Sequence, residues 1–490
     1  MEFNGIAKSL ENKTILVTGS TGFLAKLLIE KILRVQPKVK KFYLLIRATD
    51  NKAANERLRD EVIEKDLFKV LKTQYGGDLD SLILDKVLPL AGDVIYENFG
   101  IQDPEMTENL WKEINIIVNS AANTKFDERY DVALTVNTLG SKTAIDFAKK
   151  CVNLEMLLHV STAYVCGERS GLIVEKPLKM GESLNGLTGL DIKHEKWLVN
   201  QTLEELQANK VSKEEESQTM KELGMKRAKH YGWPNTYVFT KAMGEMLLGH
   251  MRDNLPLVVV RPTVITSTYK EPFPGWIEGS RHIDILLIGY GKGKITCFLA
   301  DPALILDLIP GDMVVNAMIV AMATHANQSS ETIYHVGSSS KNPINPIVFK
   351  DYAYDYFRQN PILSKDGTPI RVPKPMALTS MTKFYGYVAL RYGMPLKVFE
   401  ILNVLCCNYF LRKCSDMNRK IRLVVSLVEL YAPYIYFKGI FDDINTERLR
   451  IATETNKVDG DTFYFDPKII NWEDYYIHTH IPGVLKYNLQ

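Results

Sequence analysis

The chain is predicted to be α/β, with a doubly wound parallel sheet followed by a mainly helical C-terminal domain. Three observations carry this reading. The first 160 residues alternate short apolar runs with helical segments. The runs are continuously apolar rather than alternating, as in strands buried on both faces. A glycine-rich turn follows the first run directly and opens a helix.

The elements follow in order. Thr14–Thr18 (TILVT) is the first strand, and a helix is expected over Gly22–Leu33. Phe42–Ile46 (FYLLI) is the second strand, followed by a long charged helix from about Lys52 to Lys72. Further strands are expected at Lys86–Leu90, Ile114–Asn119 and Met156–Val160, with a helix near Asp131–Lys149 before the last. From Arg169 to Gly232 the strand rhythm stops, and Leu203–His230, rich in Glu and Lys, reads as exposed helices of an insertion. The rhythm resumes with a helix near Thr236–Met251 and strands at Leu257–Val260 and Thr332–Val336. Asn342–Pro346 and Asp366–Pro375 read as connector. The expected division is a sheet domain over 10–365, with its insertion at about 169–232, and a helical domain over 376–490.

Composition narrows the function. Sixty Lys+Arg against fifty-eight Asp+Glu leave a formal charge of +2, without the basic excess that grips nucleic acid. Apolar residues at 46% and charged residues at 24% are globular values that exclude wholesale disorder. The six cysteines (Cys151, Cys166, Cys297, Cys406, Cys407 and Cys414) form no CxxC and are expected to be reduced thiols in a cytosolic setting. The N-terminal residues show neither a secretory nor a transit pattern, and no window of about 18 apolar residues suggests a membrane span. Two stretches come closest, Val398–Leu411 and Leu423–Phe437, with Arg412, Lys413, Arg419, Lys420 and Arg422 between them. They read either as amphipathic or buried helices with a solvated connection, or as a surface that leans on an anionic membrane.

The turn Thr18-Gly19-Ser20-Thr21-Gly22-Phe23-Leu24-Ala25 has the context of a dinucleotide loop. Gly19 permits the sharp turn, Gly22 lets backbone approach a pyrophosphate at the helix N-terminus, and Ala25 keeps the helix–strand contact small. After the second strand stands Arg47, where NAD-preferring sites place an acid. A guanidinium suits a 2′-phosphate, so NADPH is the expected cofactor; Asp50, three residues on, is the competing ribose ligand. Asp93 and Val94 follow the third strand on the adenine side, and Ala121 and Ala122 follow the fourth with small side chains.

Tyr237 and Lys241 lie four apart on one helical face. An ammonium beside a phenol stabilises the phenolate and makes tyrosine a usable general acid–base near neutral pH. The same lysine suits the nicotinamide ribose. His159-Val160-Ser161-Thr162-Ala163-Tyr164 ends the fifth strand, where Thr162, or Ser161 as its rival, is placed to donate to a carbonyl oxygen gaining charge. The nine histidines show no metal-ligand spacing beyond His478-x-His480, expected at the surface, and no metal is expected. No GxSxG elbow or Walker loop is present, and nothing near Cys166 would activate its thiol.

TGSTGFLAK (Thr18–Lys26), LLIRA (Leu44–Ala48), AGDV (Ala91–Val94), HVSTAYVCGE (His159–Glu168) and YVFTK (Tyr237–Lys241) together resemble the alcohol-forming fatty acyl-CoA reductases. So do RPTVITST (Arg261–Thr268), EPFPGWIEG (Glu271–Gly279) and GIFDD (Gly439–Asp443). The similarity runs nearly the whole chain and is strongest to the plant branch that includes the jojoba seed enzyme. The resemblance implies an extended short-chain dehydrogenase with a Rossmann sheet and a male-sterility-type C-terminal domain. It implies NADPH-dependent reduction of long-chain fatty acyl-CoA to a primary alcohol through an aldehyde, for wax- or suberin-type lipids. Rival readings are a reductase stopping at the aldehyde and a nucleotide-sugar epimerase or dehydratase. By the same resemblance Gly19, Gly22 and Arg47 bind the dinucleotide, and Ser20, Thr21, Phe23, Leu24, Asp93, Val94, Ala121, Ala122 and Lys241 complete the expected cofactor site. Pro262 and Val264 flank the nicotinamide, and Tyr237, Lys241 and Thr162 are catalytic. Gly311 stands where the family usually has alanine, with no functional consequence expected. The location implied is the cytosolic face of the endoplasmic reticulum membrane, against a soluble cytoplasmic alternative, and the insertion is expected to cover the acyl chain or CoA arm.

Overall fold

The computed structural model describes residues 5–279, 283–405, 409–454 and 456–489; Cys406, Cys407 and His282 lie outside them. Seven parallel strands make one sheet: β1 (Thr14–Thr18), β2 (Lys41–Ile46), β3 (Val87–Ala91), β4 (Ile116–Asn119), β5 (Met156–Val160), β6 (Leu257–Pro262) and β7 (Glu331–Val336). Their order is β7-β6-β5-β4-β1-β2-β3, so the winding reverses between β1 and β4. That crevice is where a doubly wound sheet takes its ligand. β1, β4, β5 and β6 are buried along their whole length, which is why their sequences run continuously apolar. Leu16, Leu45, Leu90, Ile117, Leu157, Val259 and Ile333, one from each strand, share a core with Phe99 and Phe147. The two rings meet at 4.8 Å.

Helix α1 (Phe23–Val35) begins at the glycine turn as expected. The long charged helix is instead broken. α2 (Asn51–Leu58) passes through a π turn at Arg59–Ile63 and a 3-10 turn at Asp66–Phe68 into α3 (Lys69–Tyr75). Val62, Ile63, Leu67, Phe68 and Leu71 are all buried, and they spread too far round a straight helix to face one core. α4 (Gly140–Ala148) likewise emerges from a wide π turn at Leu134–Leu139.

The insertion supplies α5 (Ile192–Ala208) and α6 (Lys213–His230), and α7 (Thr236–Met251) follows. Asp191, Ser212 and Asn235 cap these three helices by accepting from Lys193, Glu215 and Val238 N–H groups. The insertion also contains a strand that its composition conceals: Gly171–Ile173 pairs in parallel with Gly439–Phe441.

Two compact units result, and neither is continuous in sequence. The first comprises Met1–Glu278, Asp307–Asn342 and Gly439–Ile470, and the second Gly279–Leu306, Pro343–Lys438 and Asn471–Gln490. This differs from a single boundary near residue 376. Residues 439–470 join the sheet unit through the Gly439–Phe441 pairing and through Thr446, whose hydroxyl donates to His335 O at 2.8 Å. In the second unit Cys297–Leu299 pairs with Met376–Leu378, which recruits residues from before the sheet's last strand. His478 is exposed, but His480 is not the surface residue expected. It is fully buried, with Nε2 3.1 Å from Asp284 Oδ1.

Candidate active site

The first unit gathers the expected residues at the carboxyl ends of its strands. After β1, Gly19 adopts φ +66°, and a Cβ there would lie 2.7 Å from Ala121 N and Cα. The loop after β4 therefore passes against Gly19, and only glycine satisfies both conformation and space. Gly22 is exposed at the N-cap of α1, with no side chain capping the helix. The positive end of α1, with no side-chain cap, fits a pyrophosphate. Ser20 is fully buried and donates to Leu45 O at 2.7 Å, fastening the turn to β2. Thr21 is half-buried, Leu24 is buried, and the Phe23 ring stacks on Trp276 at 5.0 Å. Gly311, at the start of α8 (Gly311–His325), lies against that ring: a Cβ there would come 2.6 Å from Phe23 Cε1.

Arg47 is exposed directly after β2. Asp50, its competitor, caps α2 by accepting from Ala53 N–H at 2.8 Å, a bond that lowers its pKa. Past β3, Asp93 accepts from Ile95 N–H at 3.2 Å, and Val94 is buried beside Gly140. Ala121 and Ala122 are half-buried after β4. Pro262 closes β6 and is buried, whereas Val264, in a short strand Val264–Thr266, is half-buried.

At the end of β5, Thr162 starts a 3-10 turn and its Oγ1 accepts from Tyr164 N–H at 3.4 Å, leaving its hydroxyl proton to donate elsewhere. Ser161 Oγ is buried with no hydrogen-bond partner among the described residues. Tyr237 and Lys241 occupy successive turns of α7. The Tyr237 ring is half-buried and stacks on Phe126 at 5.8 Å. The Lys241 ammonium is fully buried and donates to Val160 O at 2.8 Å. Burial brings Lys241 down to about 8, against the opposing pull of Glu245. Glu245 is itself held by Arg261, with Nε 3.1 Å from both carboxylate oxygens. Cys166 is inert here because burial pushes its thiol up to about 12.

Several partners of these groups escaped the sequence reading. His159 Nε2 lies 3.1 Å from Lys241 Nζ, and its Nδ1 lies 3.0 Å from Asn119 Nδ2. A histidine inside the buried run MLLHV is the signal that could have exposed it, since a polar group there needs partners. Asn137, in the π turn before α4, joins the Phe126 loop to α7: it accepts from Asn123 N–H at 2.8 Å and donates to Thr240 Oγ1 at 3.0 Å. π turns often mark such sites. The insertion packs against the same helix and against the short helix Tyr130–Ala133. Gly224 of α6 lies where a Cβ would be 2.6 Å from Thr236 Oγ1, and Tyr130 donates to Glu195 Oε2 at 2.7 Å.

Comparison with known proteins shows the family and the fold. Residues 17–318 match a family model described as male sterility protein, and residues 391–490 match a second model so described. The probable fatty acyl-CoA reductase 4 of Arabidopsis thaliana is 55% identical over 484 residues, 98% of each chain. The alcohol-forming fatty acyl-CoA reductase of Simmondsia chinensis is 52% identical, covering 100% of this chain and 99% of its own. Among solved structures, the reductase domain of a non-ribosomal peptide synthetase from Mycobacterium tuberculosis aligns with TM-score 0.59 at 17% identity, over 99% of this chain and 95% of that one. At that identity the likeness is one of fold.

Gly19→Ala is expected to weaken binding of a reduced nicotinamide dinucleotide at least about tenfold, because loop strain and a backbone clash together exceed about 1.4 kcal/mol. Fluorescence titration measures it, and unchanged affinity would place the dinucleotide elsewhere.

Proposed function

The chain belongs to the fatty acyl-CoA reductase family of male sterility proteins, and from that premise we propose that it reduces long-chain fatty acyl-CoA to the primary alcohol, using NADPH. One observation carries the reading. Lys241 donates to Val160 O at the end of β5, just before Thr162, while Tyr237, one turn before it, stacks on Phe126 of the loop that packs against Gly19. A bound reduced nicotinamide supplies hydride, first for the thioester and then for the aldehyde. Thr162 and Tyr237 donate to the oxygen that gains charge when the thioester is reduced, and the CoA thiolate leaves as that oxygen re-forms a carbonyl. In the second round Tyr237 gives its proton to the alkoxide, and the Lys241 ammonium stabilises the phenolate left behind.

NADPH is favoured by two features. Arg47 presents an exposed guanidinium at the end of β2, and the nearby acid is already engaged as a helix cap. The epimerase reading, which calls for an acid free to hold a ribose, is correspondingly weaker.

We also propose peripheral attachment to the cytosolic face of the endoplasmic reticulum membrane through the second unit. Its helices Met394–Leu405 and Leu411–Ile435 expose Val398, Ile401, Leu402, Leu405, Leu411 and Leu423. Arg412, Lys413, Arg419, Lys420 and Arg422 are exposed along the second helix. Apolar insertion combined with basic attraction suits an anionic lipid surface. No helix among the described residues is long and apolar enough to cross a membrane.

Four outcomes test these readings. Two NADPH are expected per CoA released from long-chain acyl-CoA, one would indicate the aldehyde as product, and Tyr237→Phe is expected to lower kcat by about 10²–10⁴. Arg47→Ala is expected to raise the KM for NADPH by about tenfold while sparing NADH, as loss of a charge-assisted phosphate contact requires; equal effects on both would reject the 2′-phosphate role. In co-sedimentation with vesicles containing anionic lipid, the wild type is expected to pellet and the double variant Ile401→Asp/Leu405→Asp to stay in solution; equal partition would dismiss the attachment surface.

A further inference from the structure

Resting on the role given above to Lys241, we propose that His159 is a positioning residue that governs the charge of Lys241 through a buried relay to Asn119 and Thr18. The relay is continuous. Lys241 Nζ lies 3.1 Å from His159 Nε2, and His159 Nδ1 lies 3.0 Å from Asn119 Nδ2. Asn119 Oδ1 accepts from Thr18 Oγ1 at 2.8 Å, which in turn accepts from Ala121 N–H at 3.2 Å. Thr18, Asn119, His159 and Lys241 are at most 2% exposed. Two apolar side chains would fill the places of His159 and Asn119 without the cost of burying polar groups, so packing alone does not explain them.

Hydrogen-bond chemistry makes the relay two-state. An ammonium has three donors and no acceptor, and a neutral imidazole has one of each. Burial and the neighbouring Lys241 both hold His159 well below the ordinary histidine range, so the ring stays neutral. With the Asn119 amide nitrogen toward the ring, Nδ1 accepts, Nε2 carries the proton, and Lys241 must accept as a free amine. With the amide turned over, Nδ1 donates to Oδ1, Nε2 is bare, Lys241 donates as the ammonium, and Thr18 Oγ1 accepts from Asn119 Nδ2 instead of donating to Oδ1. Amide orientation and lysine charge therefore change together. The carboxylate facing Lys241 along α7 is Glu245, which is paired with Arg261. Tyr237, one turn away, is the group that the charge serves. Since the relay ends on Ala121 N–H, it ties the loop packed on Gly19 to the catalytic lysine.

The test is the alkaline limb of kcat/KM in the full-length protein, which is expected near pH 8 because the ammonium is present below the Lys241 pKa of about 8 and lost above it. His159→Met removes the acceptor and is expected to move that limb down by about one pH unit. His159→Gln places an amide oxygen near the Nε2 position and is expected to return the limb toward wild type. Asn119→Asp offers only acceptors, holds the proton on Nδ1 and is expected to move the limb up. A purely structural role predicts parallel losses of stability with the limb in place, and that result would overturn the proposal. Should the variants fail to fold, ¹⁵N-histidine spectra of the wild type decide the matter. The His159 proton is expected on Nδ1 below about pH 8 and on Nε2 above it, and a tautomer constant from about pH 6 to about pH 10 would refute the relay. Full turnover by Tyr237→Phe would instead reject the acid–base role of Tyr237, and absence of NADPH consumption with long-chain acyl-CoA would reject the reductase reading, so the failures are distinguishable.

Discussion

The fold depends at its functional edge on keeping one helix-borne ammonium buried against the end of β5. Lys241 is buried completely, and an isolated charge there would be far too costly without partners. Three neighbours relieve it: the Val160 carbonyl, the bare nitrogen that His159 can offer, and the carboxylate of Glu245 one turn along α7. Glu245 in turn needs Arg261 on β6, so α7 is tied to β5 and β6 by charge as well as by packing. The same burial that threatens the charge also lowers the Lys241 pKa into the range where it can switch near neutrality.

A second constraint concerns approach. Gly19 permits the loop after β4 to come within contact of the turn after β1, and that loop carries Phe126 onto the Tyr237 ring. Asn137, bonded to both Asn123 and Thr240, keeps the loop and α7 at a set spacing. The loop after β4 is thus coupled to α7 by neutral hydrogen bonds, and α7 to β5 and β6 by its charged groups. The Gly311 position lies against the start of α1, since its missing Cβ is the space that the Phe23 ring occupies.

Much of this was legible in the residues. Strands β1 and β5 and helix α7 fall where TILVT, MLLHV and the Tyr237/Lys241 spacing place them, because burial on both faces and the helical repeat are local properties. Where competing burial bends a segment, the reading fell short: the helix expected over Lys52–Lys72 breaks so that Val62, Ile63, Leu67 and Phe68 can all turn inward. The burial of His480 is invisible to local pattern because its partner Asp284 is distant in the chain.

The amino-acid sequence by itself determined the sheet, the dinucleotide turn and the phenol–lysine pair, since each follows from neighbours within a few residues and from the conformations those neighbours allow. Tertiary structure alone decided that His159 would meet Lys241, that Asn119 would meet His159, and that Gly171–Ile173 would find Gly439–Phe441. Such meetings depend on which strands become adjacent and in what register, and no local periodicity records that choice. Buried polar groups make the difference plain: sequence shows that they need partners, while only the folded chain selects them.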